Sequence, residues 1–182
     1  DSALACYYQA QQVDDKTIAI NSLLVDLISQ PLYSQLRTKE QLGYVVGADV
    51  FRLRQQTGIL FYLESSSRPV NHLYKRISSF INDFTFSLDK MSKTEFDNYR
   101  TALRTNMLKE PTSLAEETAR YWTQIVSGSY RFKFNRDIAQ QLADVQPLAD
   151  TRAVARDAPR RSDCVAQVLG HRQRIELRRR QV

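Results

Sequence analysis

Hydrophobic positions along the chain change from a two-residue to a three- or four-residue spacing, and this change predicts the order of strands and helices. Residues 1–10 alternate and carry paired tyrosines, which is typical of a strand. Asp14 or Asp15 is expected to cap the next helix, in which apolar positions follow helical spacing from Ile18. Pro31 is expected to kink or break this helix, and a second helical segment should follow up to the glycine turn. Residues 44–53 and 59–64 are rich in valine and aromatic residues and flank a glycine-containing turn, so they favour a hairpin.

Three further helices are indicated in the middle of the chain. Apolar residues recur every three or four positions over 73–88, which predicts an amphipathic helix whose apolar stripe faces the core. Ser92 with Glu95, and Ser113 with Glu116, match the capping box, in which the two side chains bond reciprocally to backbone amides. Each pair therefore predicts the start of another helix.

The last third of the chain has weaker signals. A helix capped by Asn135, a helical turn over 150–156 and a strand over 164–169 are expected there. Strands separated from a run of helices indicate an α+β domain, with a mostly antiparallel sheet and helices packed on one face. We expect residues 1–171 to form this domain and residues 172–182 to be a disordered basic tail.

Composition and charge exclude several classes of protein. The chain is 42% hydrophobic and 25% charged, as ordinary globular proteins are. No apolar run approaches the ~20 residues of a membrane helix, so we expect no membrane partner. Of the net charge of +6, a net +4 lies between Arg172 and Arg180. Such a short run is typical of a solvated tail, so nucleic acid is the weaker alternative as a partner.

The two cysteines, Cys6 and Cys164, are too few and too far apart in sequence for a disulfide framework or a zinc knuckle. We expect them to be reduced and half-buried in an intracellular protein. The alternative is that the first and last strands are neighbours, which would bring the two thiols close together.

Residues 36–44 read Leu-Arg-Thr-Lys-Glu-Gln-Leu-Gly-Tyr and predict a helix end, a glycine turn and a strand start. Gly43 is expected to take the left-handed conformation that closes a helix, which lets Tyr44 leave in a new direction. Arg37 and Tyr44 could then lie on one surface. Without further information, Arg37 would be a cation at a helix C-terminus and Tyr44 an ordinary strand aromatic.

This motif resembles the signature of the C-terminal half of insulysin-like enzymes, in the pitrilysin family of zinc metallopeptidases. Three more segments fit the same family in the same order: Tyr-Tyr-Gln at 7–9, Arg-Tyr-Trp at 120–122 and Asp-Ala-Pro-Arg-Arg at 157–161. The similarity extends to about His171. It implies the same α+β fold and a part in cleaving peptides.

The resemblance also implies where the zinc chemistry lies. The family binds zinc through His-x-x-Glu-His, whereas the histidines here are His72 and His171, neither of which is in such a motif. Zinc is therefore expected as a cofactor of the full-length enzyme and not of this fragment, which would hold no catalytic residue and be inactive alone. Arg37 and Tyr44 are the implied substrate-binding residues, because a guanidinium and a phenol can donate to an oxygen that gains charge.

The implied partners are the N-terminal catalytic half of the same polypeptide and peptide substrates, with a homodimer of the full-length enzyme as a further expectation. The implied compartment is the cytoplasm. The alternative function is an inactive peptidase-like scaffold or protein-interaction domain, as in subunits related to the mitochondrial processing peptidase.

Overall fold

The computed structural model describes residues 1–53, 56–146 and 162–168 of the chain. The elements are, in chain order, β1 (Ser2–Gln9), α1 (Asp15–Leu32), a π-helix (Tyr33–Lys39), β2 (Val45–Leu53), β3 (Gln56–Ser65), α2 (Val70–Lys90), α3 (Lys93–Leu108), α4 (Leu114–Val126), α5 (Phe134–Asp144) and β4 (Ser162–Val168). The helical turn expected over 150–156 and the tail 172–182 lie outside the described residues.

The four strands form one antiparallel sheet in the order β2-β3-β1-β4. Alternate residues of β1 are buried, namely Leu4, Cys6 and Tyr8, as expected for a strand with one face on the core. Helix α1 packs against β2 and β3, and helix α2 against β1 and β4. The predicted α+β architecture, with helices on a mostly antiparallel sheet, is confirmed.

Most helices begin where the capping residues predict. The Asp14 carboxylate accepts a 2.7 Å hydrogen bond from the amide of Thr17 at the start of α1. Ser92 and Ser113 accept in the same way, at 3.2 Å, from amides three residues further on. Helix α2, which follows Pro69, and helix α5 begin with no side-chain cap. Helix α5 begins at Phe134, so the predicted capping role of Asn135 is wrong.

Helix α1 is not broken at Pro31. It continues to Leu32, and the chain then passes directly into the π-helix Tyr33–Lys39. Proline removes one backbone donor, and a π-helix is a wider turn that often occurs at functional sites. The helix type therefore changes just after Pro31, where the sequence predicts a kink or a break, and the helical segment that follows is the π-helix.

Cys6 is disulfide-bonded, which corrects the expectation of reduced cysteines. The register of β1 and β4 places Cys6 opposite Cys164, the other cysteine of the chain. The first and last strands are neighbours in the sheet, so the alternative weighed from the sequence is the correct one.

Residues 108–132, called the α4 arm below, differ from the rest of the fold in their exposure. On α4 itself Gln124 is the buried residue. Eight large hydrophobic residues of the arm are exposed: Leu108, Leu114, Tyr121, Trp122, Ile125, Val126, Tyr130 and Phe132. None of the helices in the described part of the chain combines the length and apolar character of a membrane span.

Candidate functional site

The predicted motif lies in residues 33–44, called the site segment below, which comprise the π-helix and the turn that leads to β2. Two leucines fix this segment to the core. Leu36 and Leu42 are both buried, and the amide of Leu42 donates a 3.0 Å hydrogen bond to the carbonyl of Leu36. The turn between them is therefore held at both ends.

Gly43 has a different role from the predicted one. The left-handed residue of the turn is Gln41, with a φ of 50°. Gly43 instead passes against β3, where a Cβ would lie 1.9 Å from the carbonyl oxygen of Glu64. This close approach lets the amide of Tyr44 donate a 3.0 Å hydrogen bond to the same oxygen. Gly43 is required for contact with the sheet and not for helix closure.

Arg37 lies in the last turn of the π-helix and is half-buried. Within residues 1–53, 56–146 and 162–168, its guanidinium has no ion pair or hydrogen bond. A cation that is partly removed from water and lacks an internal partner has its donors available to a ligand.

Tyr44 stands immediately before β2, and 49% of it is exposed. Its hydroxyl donates a 3.4 Å hydrogen bond to Oδ2 of Asp1. A hydrogen bond to Glu64, together with desolvation, raises the pKa of Tyr44. The phenol is therefore protonated at neutral pH and can act as a donor.

The structure thus places Arg37 and Tyr44 on either side of one anchored turn and leaves both accessible. Neither side chain is enclosed in the core of the domain. This is the arrangement that a partner surface or a substrate would need in order to reach both residues.

One ion pair of the site segment was not predicted from the sequence. Glu40 binds Arg76 of α2 through two hydrogen bonds, 2.7 Å from Nε to Oε2 and 2.6 Å from Nη2 to Oε1. Gln35 of the π-helix donates a third bond, of 2.8 Å, to Oε1 of Glu40. The hydrogen bonds from Arg76 lower the pKa of Glu40, and Glu40 in turn raises the pKa of Arg76. We call this arrangement the Glu40–Arg76 fork.

Sequence reasoning could not find Arg76. It lies on the polar side of an amphipathic helix, 36 positions from Glu40, and no local spacing connects the two residues. The signal that exists is weak: an acidic residue in a turn needs a partner when it is largely buried.

The ligand set for zinc is not present in the described residues. No group of three His, Cys, Asp or Glu side chains within them could hold a metal ion. His72 lies near Glu40, but the fork already uses the carboxylate of Glu40. The described part of the chain therefore does not fit a zinc site.

Residues 23–122 match the family described as PQQ synthase PqqF-like, C-terminal lobe domain 4. The matched range is more than half of the chain and contains the whole site segment. It also contains Arg76, but it excludes α5 and β4.

Curated relatives are much longer than this chain. A nardilysin-like protein from Arabidopsis thaliana is 34% identical over 149 residues, which are 80% of this chain and 15% of the relative. Insulin-degrading enzyme from Homo sapiens is 31% identical over 170 residues, 90% of this chain and 16% of the relative. The chain therefore spans about a sixth of the length of these relatives.

Among solved structures, the crystal structure of pitrilysin aligns with a TM-score of 0.80 and 26% identity. The alignment covers 98% of this chain and 20% of the pitrilysin chain. Fold, family match and relatives agree, and the chain belongs to the pitrilysin family of peptidases, in which it is a domain of the C-terminal region.

Proposed function

We propose that this chain is part of a zinc metalloendopeptidase that cleaves peptides inside a closed chamber. The domain supplies two substrate-binding groups, Arg37 and Tyr44, to a zinc site in the N-terminal half of the polypeptide. The groups donate hydrogen bonds to the substrate backbone and to the oxygen that gains charge during cleavage. Contributing them from a separate half makes catalysis depend on closure of the two halves.

The observation that carries this proposal is that both groups are accessible on an anchored segment, where the Tyr44 hydroxyl exchanges its 3.4 Å bond to Asp1 for one to the substrate. Arg37 has no internal partner in the described part of the chain, and the exposed phenol of Tyr44 is protonated at neutral pH. Buried leucines anchor the segment that carries both residues. Donors that are already positioned stabilise a developing oxyanion without a reorganisation cost at the moment of reaction.

The partners and the cofactor follow from the same proposal. Zinc is held by the N-terminal half, as the family resemblance implies. The fragment alone is inactive. The substrates are peptides, and a homodimer of the full-length enzyme is a further proposal that an analysis of its mass in solution would test.

The first experiment is Arg37→Ala in the full-length enzyme. We expect turnover of a peptide substrate to fall about 100-fold, because one transition-state donor is lost. Zinc content and the melting temperature should not change. Arg104→Ala is the matched control, since Arg104 is an exposed arginine of α3, outside the site segment.

Two outcomes would contradict the proposal. Normal turnover by Arg37→Ala would remove the assigned role of Arg37. A full-length protein without zinc and without peptidase activity would instead favour the alternative, an inactive peptidase-like scaffold.

The compartment has two candidates. The resemblance implies the cytoplasm, but the disulfide of Cys6 supports an oxidising compartment, because cytosolic thiols are kept reduced. Alkylation of native protein taken directly from cells distinguishes them. Modification of both cysteines would indicate the cytoplasm, and protection until a reductant is added would indicate an oxidising compartment.

A further inference from the structure

We propose that Arg76 and Gln35 are positioning residues, which act through Glu40 to hold Arg37 and Tyr44 in their working orientation. This inference rests on the proposed function, because it assigns to the fork a role in presenting these two donors to the substrate. Neither Arg76 nor Gln35 needs to touch the substrate.

Glu40 lies between Arg37 and Tyr44 along the chain. It directly follows the π-helix, and its amide donates a 3.0 Å hydrogen bond to the carbonyl of Gln35. Its carboxylate is therefore placed three residues after Arg37 and four residues before Tyr44. A change in the position of Glu40 therefore also shifts the backbone at both donors.

The geometry of the Glu40–Arg76 fork also favours a positioning role. A guanidinium and a carboxylate joined by two parallel hydrogen bonds fix relative orientation as well as distance. The two side chains are 30% and 20% exposed, so bulk water competes only partly for these bonds. The third bond, from Gln35, connects the carboxylate back to the π-helix that carries Arg37. Helix α2, the turn and the π-helix are thereby locked together.

The adjacent residues show why such a lock is needed. Gln41 takes a left-handed conformation, which is uncommon for a residue with a side chain. Arg37 itself has no partner in the described residues that would hold it. The fork joins α2 to this turn through two hydrogen bonds, and it supplies the orientation that Arg37 does not obtain from its own contacts.

The test uses the full-length enzyme with Arg76→Gln and Arg76→Lys. We expect kcat to fall about tenfold in Arg76→Gln while KM stays within about twofold, because a small displacement of a transition-state donor affects the chemical step. Arg76→Lys should recover only part of this loss, since an ammonium cannot form the two-bond fork. The swapped pair, Glu40→Arg with Arg76→Glu, restores the attraction and should recover most of kcat.

A double-mutant cycle separates positioning from simple destabilisation. In a background that carries both Arg37→Ala and Tyr44→Phe, Arg76→Gln should lower kcat by less than twofold, because both donors that it positions are already gone. Arg120→Gln is the matched control. It breaks an arginine–glutamate pair of 2.9 Å on α4, with Arg120 31% exposed, and it should leave kcat unchanged in either background.

The possible failures are distinguishable. If Arg37→Ala and Tyr44→Phe lower kcat but Arg76→Gln does not, the proposed function stands and the positioning role is refuted. If the loss from Arg76→Gln is as large in the Arg37→Ala, Tyr44→Phe background as in wild type, Arg76 acts independently of the two donors and the positioning role is again refuted. If Arg37→Ala leaves kcat normal, both the proposed function and this inference fall.

Discussion

The site segment and the α4 arm are built in opposite ways. The site segment is short and irregular, with a π-helix and a left-handed residue, yet leucine side chains, the Glu40–Arg76 fork and a bond to β3 hold it to the rest of the domain. The α4 arm has a regular helix whose N-terminus is capped by Ser113, but its large apolar side chains face outward. Regular local geometry and anchorage in the domain are therefore separate properties of this fold.

The difference suggests how each region responds to change. Substitutions of the residues that anchor the site segment, such as Leu36 and Glu40, should affect the stability of the whole domain, because these residues are buried or bonded to another element. Substitutions at exposed positions of the arm should affect stability little, because those side chains have few internal partners to lose.

The sharpest contrast is between two leucine truncations. Leu36→Ala should lower the free energy of unfolding by about 3 kcal/mol, because it removes a fully buried side chain and leaves a cavity. Leu114→Ala should change it by less than about 0.5 kcal/mol, because Leu114 is 79% exposed. Denaturant unfolding measures both. Equal losses for the two variants would contradict the contrast between the regions.

Two glycines give a smaller contrast of the same kind. Gly43→Ala should cost about 2 kcal/mol, because the added Cβ meets a backbone oxygen that cannot move aside freely. Gly128→Ala should cost about 1 kcal/mol from its positive φ alone, since nothing lies within 4 Å of the new Cβ. Thermal unfolding of both variants checks the order, and a larger loss for Gly128→Ala would refute the role assigned to Gly43.

The smallest expected effect is the loss of stability from the Glu40–Arg76 fork at acidic pH. The fork lowers the pKa of Glu40 in the folded state. The contribution of the fork to the free energy of unfolding is therefore complete above the pKa of Glu40 in the unfolded chain, near 4.5, and is lost as pH falls through the lower pKa of the folded state. Arg76, His72 and Gln35 are the groups that face this carboxylate. We expect the free energy of unfolding of wild type to be about 1 kcal/mol larger than that of Glu40→Gln at pH 7, and the difference to be smaller at pH 3. A difference that grows on acidification would contradict the fork.

The sequence could predict the features that depend on residues close together along the chain. Asp14, Ser92 and Ser113 start helices because each needs only an amide three residues away. The alternation over residues 1–10 predicted β1, because successive side chains of a strand point to opposite faces of the sheet. The fold class followed from these elements and their order.

What the sequence could not predict depends on contacts between distant segments. The role of Gly43 depends on the carbonyl of Glu64, and the partner of Glu40 is on another helix. The apolar periodicity of α4 resembles that of a core helix, and only the structure shows that Trp122 is 62% exposed. The disulfide of Cys6 required knowing that β4 lies beside β1.

The most direct measurement is single-turnover cleavage of a peptide by full-length enzyme carrying Tyr44→Phe, with Tyr130→Phe as the control for an exposed tyrosine of the α4 arm. We predict that removing the Tyr44 hydroxyl slows bond cleavage about 100-fold with zinc content unchanged, and that Tyr130→Phe has no effect. Cleavage at the wild-type rate by Tyr44→Phe would contradict the claim that this domain donates to the reacting oxygen.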